Sequence, residues 1–182
     1  MSQATERMSA DQFLSAPGRF GDGRHELVAG RVVKLAPERN KHVDDKMRVW
    51  LVLRNAVAAS GLDLHVSGDG VSVRIDDTTV REPDALVQSQ PDPLSTEANA
   101  PVVVVEIVSP SSDTTDNIAK LDEYFRVSTV AAYLVIDTYA GRVAAHTRGD
   151  DQHSVRTQVL RAGTISLAAP SIELSVADLL GS

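Results

Sequence analysis

The 182-residue chain has no cysteine, which excludes disulfides and thiolate zinc sites. Aromatic residues make up only 4%, with one tryptophan, too few for a platform that stacks the bases of a single strand. Positive charge is in short supply. Eighteen Lys and Arg face twenty-five Asp and Glu, for a net charge of −7. That argues against a broad basic surface for nucleic acid, while leaving room for a small basic groove around an acidic metal site. No run is long and apolar enough to span a membrane. The opening MSQATERMSADQF carries acids and no apolar core, so it does not read as a secretory signal, and a cytoplasmic protein is the expectation. There is no Walker A sequence and no G-x-S-x-G elbow, and the G-x-G at Gly21 and Gly23 follows no strand. Repeats, low-complexity tracts and linkers are also missing. The length suits one domain over 1–182, with 1–8 expected to be disordered.

What is present centres on Pro101–Ser112, PVVVVEIVSPSS. Val102 to Val108 is apolar and mostly β-branched except at Glu106, and prolines bound it on both sides. Such a run reads as a strand buried on both faces. Alternation puts Val102, Val104, Glu106 and Val108 on one face. A carboxylate there is costly unless something answers it. It can hold a metal, act as acid or base, or pair with a buried cation, and a structural ion pair is the plain alternative.

The remaining elements are read in order. Ser9–Gln12 forms a capping box for a short helix, and His25–Leu35 a hairpin turning at Ala29-Gly30. Lys41–Ser60 is a helix closed by Gly61, with Val43, Met47, Trp50, Leu51, Arg54 and Val57 as its inward stripe. Leu62–Val66 and Val71–Ile75 read as a second hairpin about Ser67–Gly70. Asp76–Thr79 is a turn, Ala85–Val87 a short strand, and Gln88–Ala100 a polar loop placed to gate a site. Thr115–Val127 is a helix and Val130–Asp137 a strand, so the central strand, helix and next strand form a βαβ unit with parallel strands. Gly141–Thr147 and Ser154–Leu160 make an antiparallel pair, and Ile172–Leu180 adds a strand and a helical turn. The class is mixed α and β: a central mixed sheet flanked by helices, with an N-terminal hairpin and C-terminal antiparallel strands.

Three positions carry possible chemistry beside Glu106. Asp84 follows Pro83 at a strand start, where two acids on neighbouring strands suit a hard divalent cation. As a turn residue it would bond its own backbone instead. Lys120 flanks the apolar stripe of its helix, with Tyr124 one turn on. It either leans toward the acids or makes a surface pair with Asp116. His42 opens the long helix. His25, His65, His146 and His153 lack metal-ligand spacing.

The order HELVAGRVV, a helix opened by His42, REPDALV, VVVVEIVSPSSDTTDNIAKLDEYF and AAYLVID resembles the Uma2-like family of putative restriction endonucleases, a branch of the PD-(D/E)XK nuclease superfamily, from about Met8 to Leu180. The resemblance implies a restriction-endonuclease-like fold and Mg²⁺-dependent hydrolysis of DNA phosphodiesters, with Mn²⁺ a possible substitute. Asp84 and Glu106 would hold the ion directly and Glu26 directly or through water, and Lys120 would assist. Ser109, Tyr124 and His42 would support them. The superfamily's usual lysine slot holds Val108, so the amine is expected from the next helix. A homodimer cutting both strands is implied by analogy. A catalytically idle nuclease-fold protein, acting as a nucleic-acid-binding or assembly module, is the competing reading, and the acidic net charge favours it.

Overall fold

The computed structural model describes residues 7–15, 18, 20–108, 114–149, 151 and 154–182, with side chains of 114–118 excepted. Ser109, His153 and the Asp116 side chain lie outside the described residues, as does most of the N-terminal stretch expected to be disordered. At its end Met8 is held, its N–H donating to Gly30 O at 3.0 Å.

The chain opens with α1 (Ala10–Leu14), capped reciprocally by Ser9 and Gln12. A hairpin of β1 (His25–Val28) and β2 (Arg31–Lys34) follows, turning through Ala29 and Gly30, both at positive φ as a tight primed turn requires. Next come α2 (Asn40–Ser60), β3 (His65–Gly68), β4 (Val73–Asp76), β5 (Thr79–Arg81) and β6 (Ala85–Gln88). The central strand β7 (Pro101–Ile107) leads through α3 (Thr114–Arg126) to β8 (Ala132–Asp137), and then to β9 (Arg142–Arg148) and β10 (Val155–Leu160). A small ribbon of β11 (Thr164–Leu167) and β12 (Ile172–Ser175) and the short α4 (Val176–Leu180) complete it.

A six-stranded sheet runs β10-β9-β8-β7-β6-β3. Only β7 and β8, joined through α3, are parallel, so the sheet is mixed. A separate four-stranded sheet runs β2-β1-β5-β4. The alternation of β7 sorts the core into two layers. Val103, Val105 and Ile107 pack with Val49, Leu53 and Val57 of α2 and with Leu174 and Leu179 beyond them. Val104 packs the opposite way, with Leu86, Tyr133, Tyr124 of α3 and Val73 and Ile75 of β4. The large sheet is therefore covered by α2 on one side and by α3 with the small sheet on the other.

Four expectations are corrected. The strands about Ser67–Gly70 are not a hairpin: β3 pairs with β6 and β4 with β5, in different sheets. Neither β5 nor β11 is read as a strand in the sequence. The buried face of α2 is Asp45, Lys46, Val49, Leu53 and Val57, while Val43, Met47 and Leu51 face solvent at 40%, 67% and 52% exposure. Trp50 is half-buried, its Nε1–H donating to Val66 O at 3.1 Å. Finally, the loop after Gln88 is rooted away from the acids it was expected to gate. It joins the far ends of β6 and β7, about 13 Å along the strands from Asp84. Its neck is pinned by Gln88, which donates to Ser67 Oγ and accepts the N–H of Asn99.

Candidate active site

The register of β6 against β7 sets the acids side by side. Ala85 pairs with Val105, so Asp84 sits opposite Glu106. The Asp84 N–H donates to Val105 O at 3.1 Å, and its Oδ2 accepts the Ile107 N–H at 2.7 Å. Pro83, which cannot donate to a ladder, ends the approach from β5, and pairing starts at Asp84.

Glu106 points to the α3 side of the sheet. One oxygen, Oε1, accepts from Lys120 Nζ at 3.0 Å and from the Tyr124 hydroxyl at 2.8 Å. Lys120 and Tyr124 lie four residues apart and so share a face of α3. The Tyr124 ring is buried and meets Tyr133 at 5.1 Å. Among the described residues nothing bonds the other oxygen of Glu106. Burial pushes its carboxyl up to about 7. The Lys120 ammonium pulls it down, while the charges of Asp84 and Glu26 push it up again.

Asp84 behaves oppositely. Burial raises it, but the His42 hydrogen bond and the Ile107 N–H prevail, with Lys46 adding attraction, and its pKa lies below the usual range. His42 Nε2 lies 3.5 Å and Lys46 Nζ 3.7 Å from Oδ1, both reaching down from α2. Lys46 also binds Glu38 at 2.6 Å, and Arg24 pairs with Glu38 and Glu82. Glu38, His42 and Asp84 each present one donor atom within 4.8 Å of the others, a grouping suited to a metal ion.

Glu26 is near enough to raise Glu106, yet its oxygens are already taken. Oε2 accepts from Arg81 at 2.8 Å and Oε1 from the Glu82 N–H at 3.0 Å. Arg81 turns its other nitrogens to Glu123 on α3, at 2.6 and 3.1 Å. All three side chains are buried. Val108, in the lysine slot of the superfamily, donates its N–H to Ile136 O, and the amine at Glu106 comes from α3 instead.

The structure thus gathers Asp84, Glu106, Lys120, Tyr124 and His42 about one end of the β6–β7 pair, with Glu26 behind them. Sequence reasoning missed Arg81, Glu123, Glu38, Lys46 and Arg24. Glu123 carried a readable signal, because it stands three residues after Lys120 and so faces the same way. Lys46 carried one too, being one turn from His42 on the same helix.

The fold is mixed α+β, a central mixed sheet with buried acids at the end of one strand pair. A solved structure agrees: a putative nuclease belonging to DUF820 from Anabaena variabilis ATCC 29413 superposes with a TM-score of 0.74 at 16% identity, covering 96% of this chain and 98% of its own. Residues 10–177 match the Uma2 family, described as putative restriction endonuclease, and the chain belongs to that family. No curated protein matches it.

Proposed function

We propose that the protein is a divalent-metal-dependent endonuclease that cleaves DNA phosphodiesters. The observation that carries this reading is the geometry at the end of the β6–β7 pair, where Asp84 and Glu106 stand side by side and burial, with the charges of Asp84 and Glu26 adding to it, raises the Glu106 carboxyl to about 7. A bound cation would favour the ionised carboxylates, and the Glu106 oxygen that is unbonded among the described residues, together with Oδ1 of Asp84, offers hard donors for it. Mg²⁺, or Mn²⁺ in its place, would acidify a water and polarise the phosphoryl oxygen.

The chain's own groups then divide the work. Asp84, ionised through His42 and the Ile107 N–H, is the constant anionic ligand. Glu106 is its partner, oriented by Tyr124 and Lys120. The Lys120 ammonium also stands where it can direct a water or offset charge growing on the phosphate. Glu26 takes part through water, since Arg81 and the Glu82 N–H hold its oxygens. His42 serves either as an added nitrogen donor beside Glu38 or as the group that positions Asp84. Ser109 remains a supporting group in the proposal from its place in the sequence. Two copies acting on two strands is the assembly this reading implies.

The test is cleavage of duplex DNA with Mg²⁺ or Mn²⁺ by wild type, Asp84→Asn, Glu106→Gln and Lys120→Ala. Each variant should fall at least roughly a hundredfold, as loss of a group acting on developing charge does. Equal cleavage by all four would assign the activity elsewhere. The net charge of −7 favours a second reading, an inactive nuclease fold that binds nucleic acid or assembles with other proteins. Nucleic-acid binding without cleavage over a range of DNA and RNA substrates would select it.

A further inference from the structure

We propose that the DNA backbone approaches Asp84 and Glu106 along one end of the large sheet, over β8 to β10, with its phosphates held by Lys41, Arg142 and Arg161. This rests on the reading that the acids act on nucleic acid, and adds the side from which the substrate reaches them. The strand registers place the bases. Ile107 of β7 pairs with Ile136 of β8, Ile136 with Val143 of β9, and Val143 with Leu160 of β10. Glu106 lies one residue inside this row, and Arg142 and Arg161 lie one residue outside it. From β7 to β10 is three strand spacings, about 14 Å, room for a few phosphates of one strand. Lys41 fills the gap between the two arginines and the acids. Its neighbour His42 reaches Asp84, while its own Nζ meets Thr138 Oγ1, just past β8, at 3.1 Å.

The turn from β8 to β9 steadies all three bases. Lys41 Nζ stands 5.1 Å from the centre of the Tyr139 ring, Arg142 Nε lies 3.4 Å from Asp137 Oδ2, and Arg161 donates to Ala140 O at 2.6 Å. Each remains exposed to solvent. Charge decides the direction of approach. Asp45 and Asp137 touch these bases, but Asp45 is shared with Arg48, so base is in surplus here. The long helix α2 also opens at this end with no acid in its first turn, so its positive pole adds to the field. The other flank of Asp84 has the opposite balance. There Glu38, Asp69 and Glu82 outnumber Arg24 and Lys46, which bind them. A polyanion crossing that flank meets surplus acid, whereas one lying over β8 to β10 meets surplus base. In a chain of net charge −7, such a local surplus is what draws a phosphate backbone to one side of the acids.

Fluorescence anisotropy of a short labelled DNA duplex with the full chain, in EDTA and again in Ca²⁺, tests this. Wild type should bind at about 50 mM salt and lose affinity linearly on a log–log salt plot. Lys41→Gln, Arg142→Gln and Arg161→Gln should each weaken binding about three- to tenfold, equally on duplexes of different sequence, and flatten the salt slope by about one. Arg31→Gln and Arg54→Gln remove the same charge from exposed positions elsewhere and should bind as wild type. Lys41→Arg keeps the charge and should also bind as wild type, which tells lost charge from lost bracing of the turn. Wild type that fails to bind in both buffers up to about a hundred micromolar overturns the proposal, since even sequence-independent binding is tighter than that. So do equal losses from Arg31→Gln and Arg54→Gln, or an unchanged salt slope in the three variants. Binding along this row without cleavage in Mg²⁺ or Mn²⁺ would fail the nuclease reading and leave the proposal standing. Cleavage indifferent to all three bases would do the reverse.

Discussion

Two buried charge clusters, near enough for Glu26 of one to act on Glu106 of the other, differ in how completely they are answered. In the first, Arg81 spans Glu26 and Glu123, and the Glu82 N–H takes the remaining oxygen of Glu26. It ties β1 and β5 of the small sheet to α3. In the second, Asp84 and Glu106 stand side by side with one oxygen of Glu106 unbonded among the described residues. One carboxyl is held low and the other is lifted to about 7. The first cluster closes on itself and does the work of a bolt. The second leaves lone pairs to spare, as a site for a cation would and a structural ion pair would not. The bolt also serves the site, because α3 carries Lys120 and Tyr124 as well as Glu123.

The largest expected effect breaks the bolt. Arg81→Met would leave two buried carboxylates without their cation, and breaking such a pair costs about 3–5 kcal/mol. Urea denaturation should show a midpoint far below wild type, whereas Glu106→Gln should cost little. Equal losses from the two variants would mean that the clusters are not different in kind.

A smaller effect uses pH. The folded value of Glu106 lies above the ordinary glutamate range, so the folded protein binds the extra proton. Its contribution is present at acid pH and is lost as pH rises toward about 7. Ionising this group against burial is a cost on the order of a few kcal/mol, offset in part by Lys120. Glu106→Gln resembles the protonated form at every pH. Its thermal midpoint relative to wild type, without metal, should therefore climb between pH 5 and pH 8. Asp84→Asn should stay level with respect to wild type over that range and gain on it only as the pH falls below the ordinary Asp range. Asp84 is held low in the folded protein, so its contribution is present at neutral pH and is lost only on acidification. Parallel curves for the two variants would erase the contrast between the acids.

His42→Ala probes the α2 side alone. Groups that orient a metal-binding carboxylate are worth about ten- to a hundredfold in affinity. Titration calorimetry with Mn²⁺ should show a loss of that order, while the Glu106–Lys120 pair is untouched. An unchanged affinity would move the ion away from Asp84.

Sequence patterns of different kinds had different success. The β7 strand, α3 and β8 were legible because period-two burial and a β-branched run act locally, whereas spacing put Lys120 beside the apolar stripe of α3 without choosing between the acids and a surface pair with Asp116, and only the family resemblance chose. Pairing was less legible. Nothing local tells β3 and β4 that they belong to different sheets, since Ser67-Gly-Asp-Gly70 has the composition of a tight turn. The α2 stripe failed for another reason. Two apolar rows share that helix, and periodicity cannot say which one meets the sheet. Asp45 and Lys46 were hidden within the buried face because charge reads as surface until its partners, Arg48 and Lys41 for one and Glu38 and Asp69 for the other, are seen. Arg81 was quoted within the R-E-P-D segment without a role, because its partners lie 55 and 42 residues away.

The smallest effect sharpens the comparison at a single hydrogen. Tyr124→Phe keeps the ring against Tyr133 and removes only the donor to Glu106. A buried hydrogen bond of this type is worth about 1 kcal/mol in stability, and less is lost where the acceptor stays paired. Lys120 remains on the same oxygen, so the loss should fall at or below that figure. The sharper readout is the carboxyl itself. A donor to the ionised form favours ionisation, so removing it should lift Glu106 above about 7, which carbon-detected NMR titration would follow without any need for activity. A Glu106 that titrates unchanged would show that Lys120 alone orients it, and that Tyr124 is there for packing.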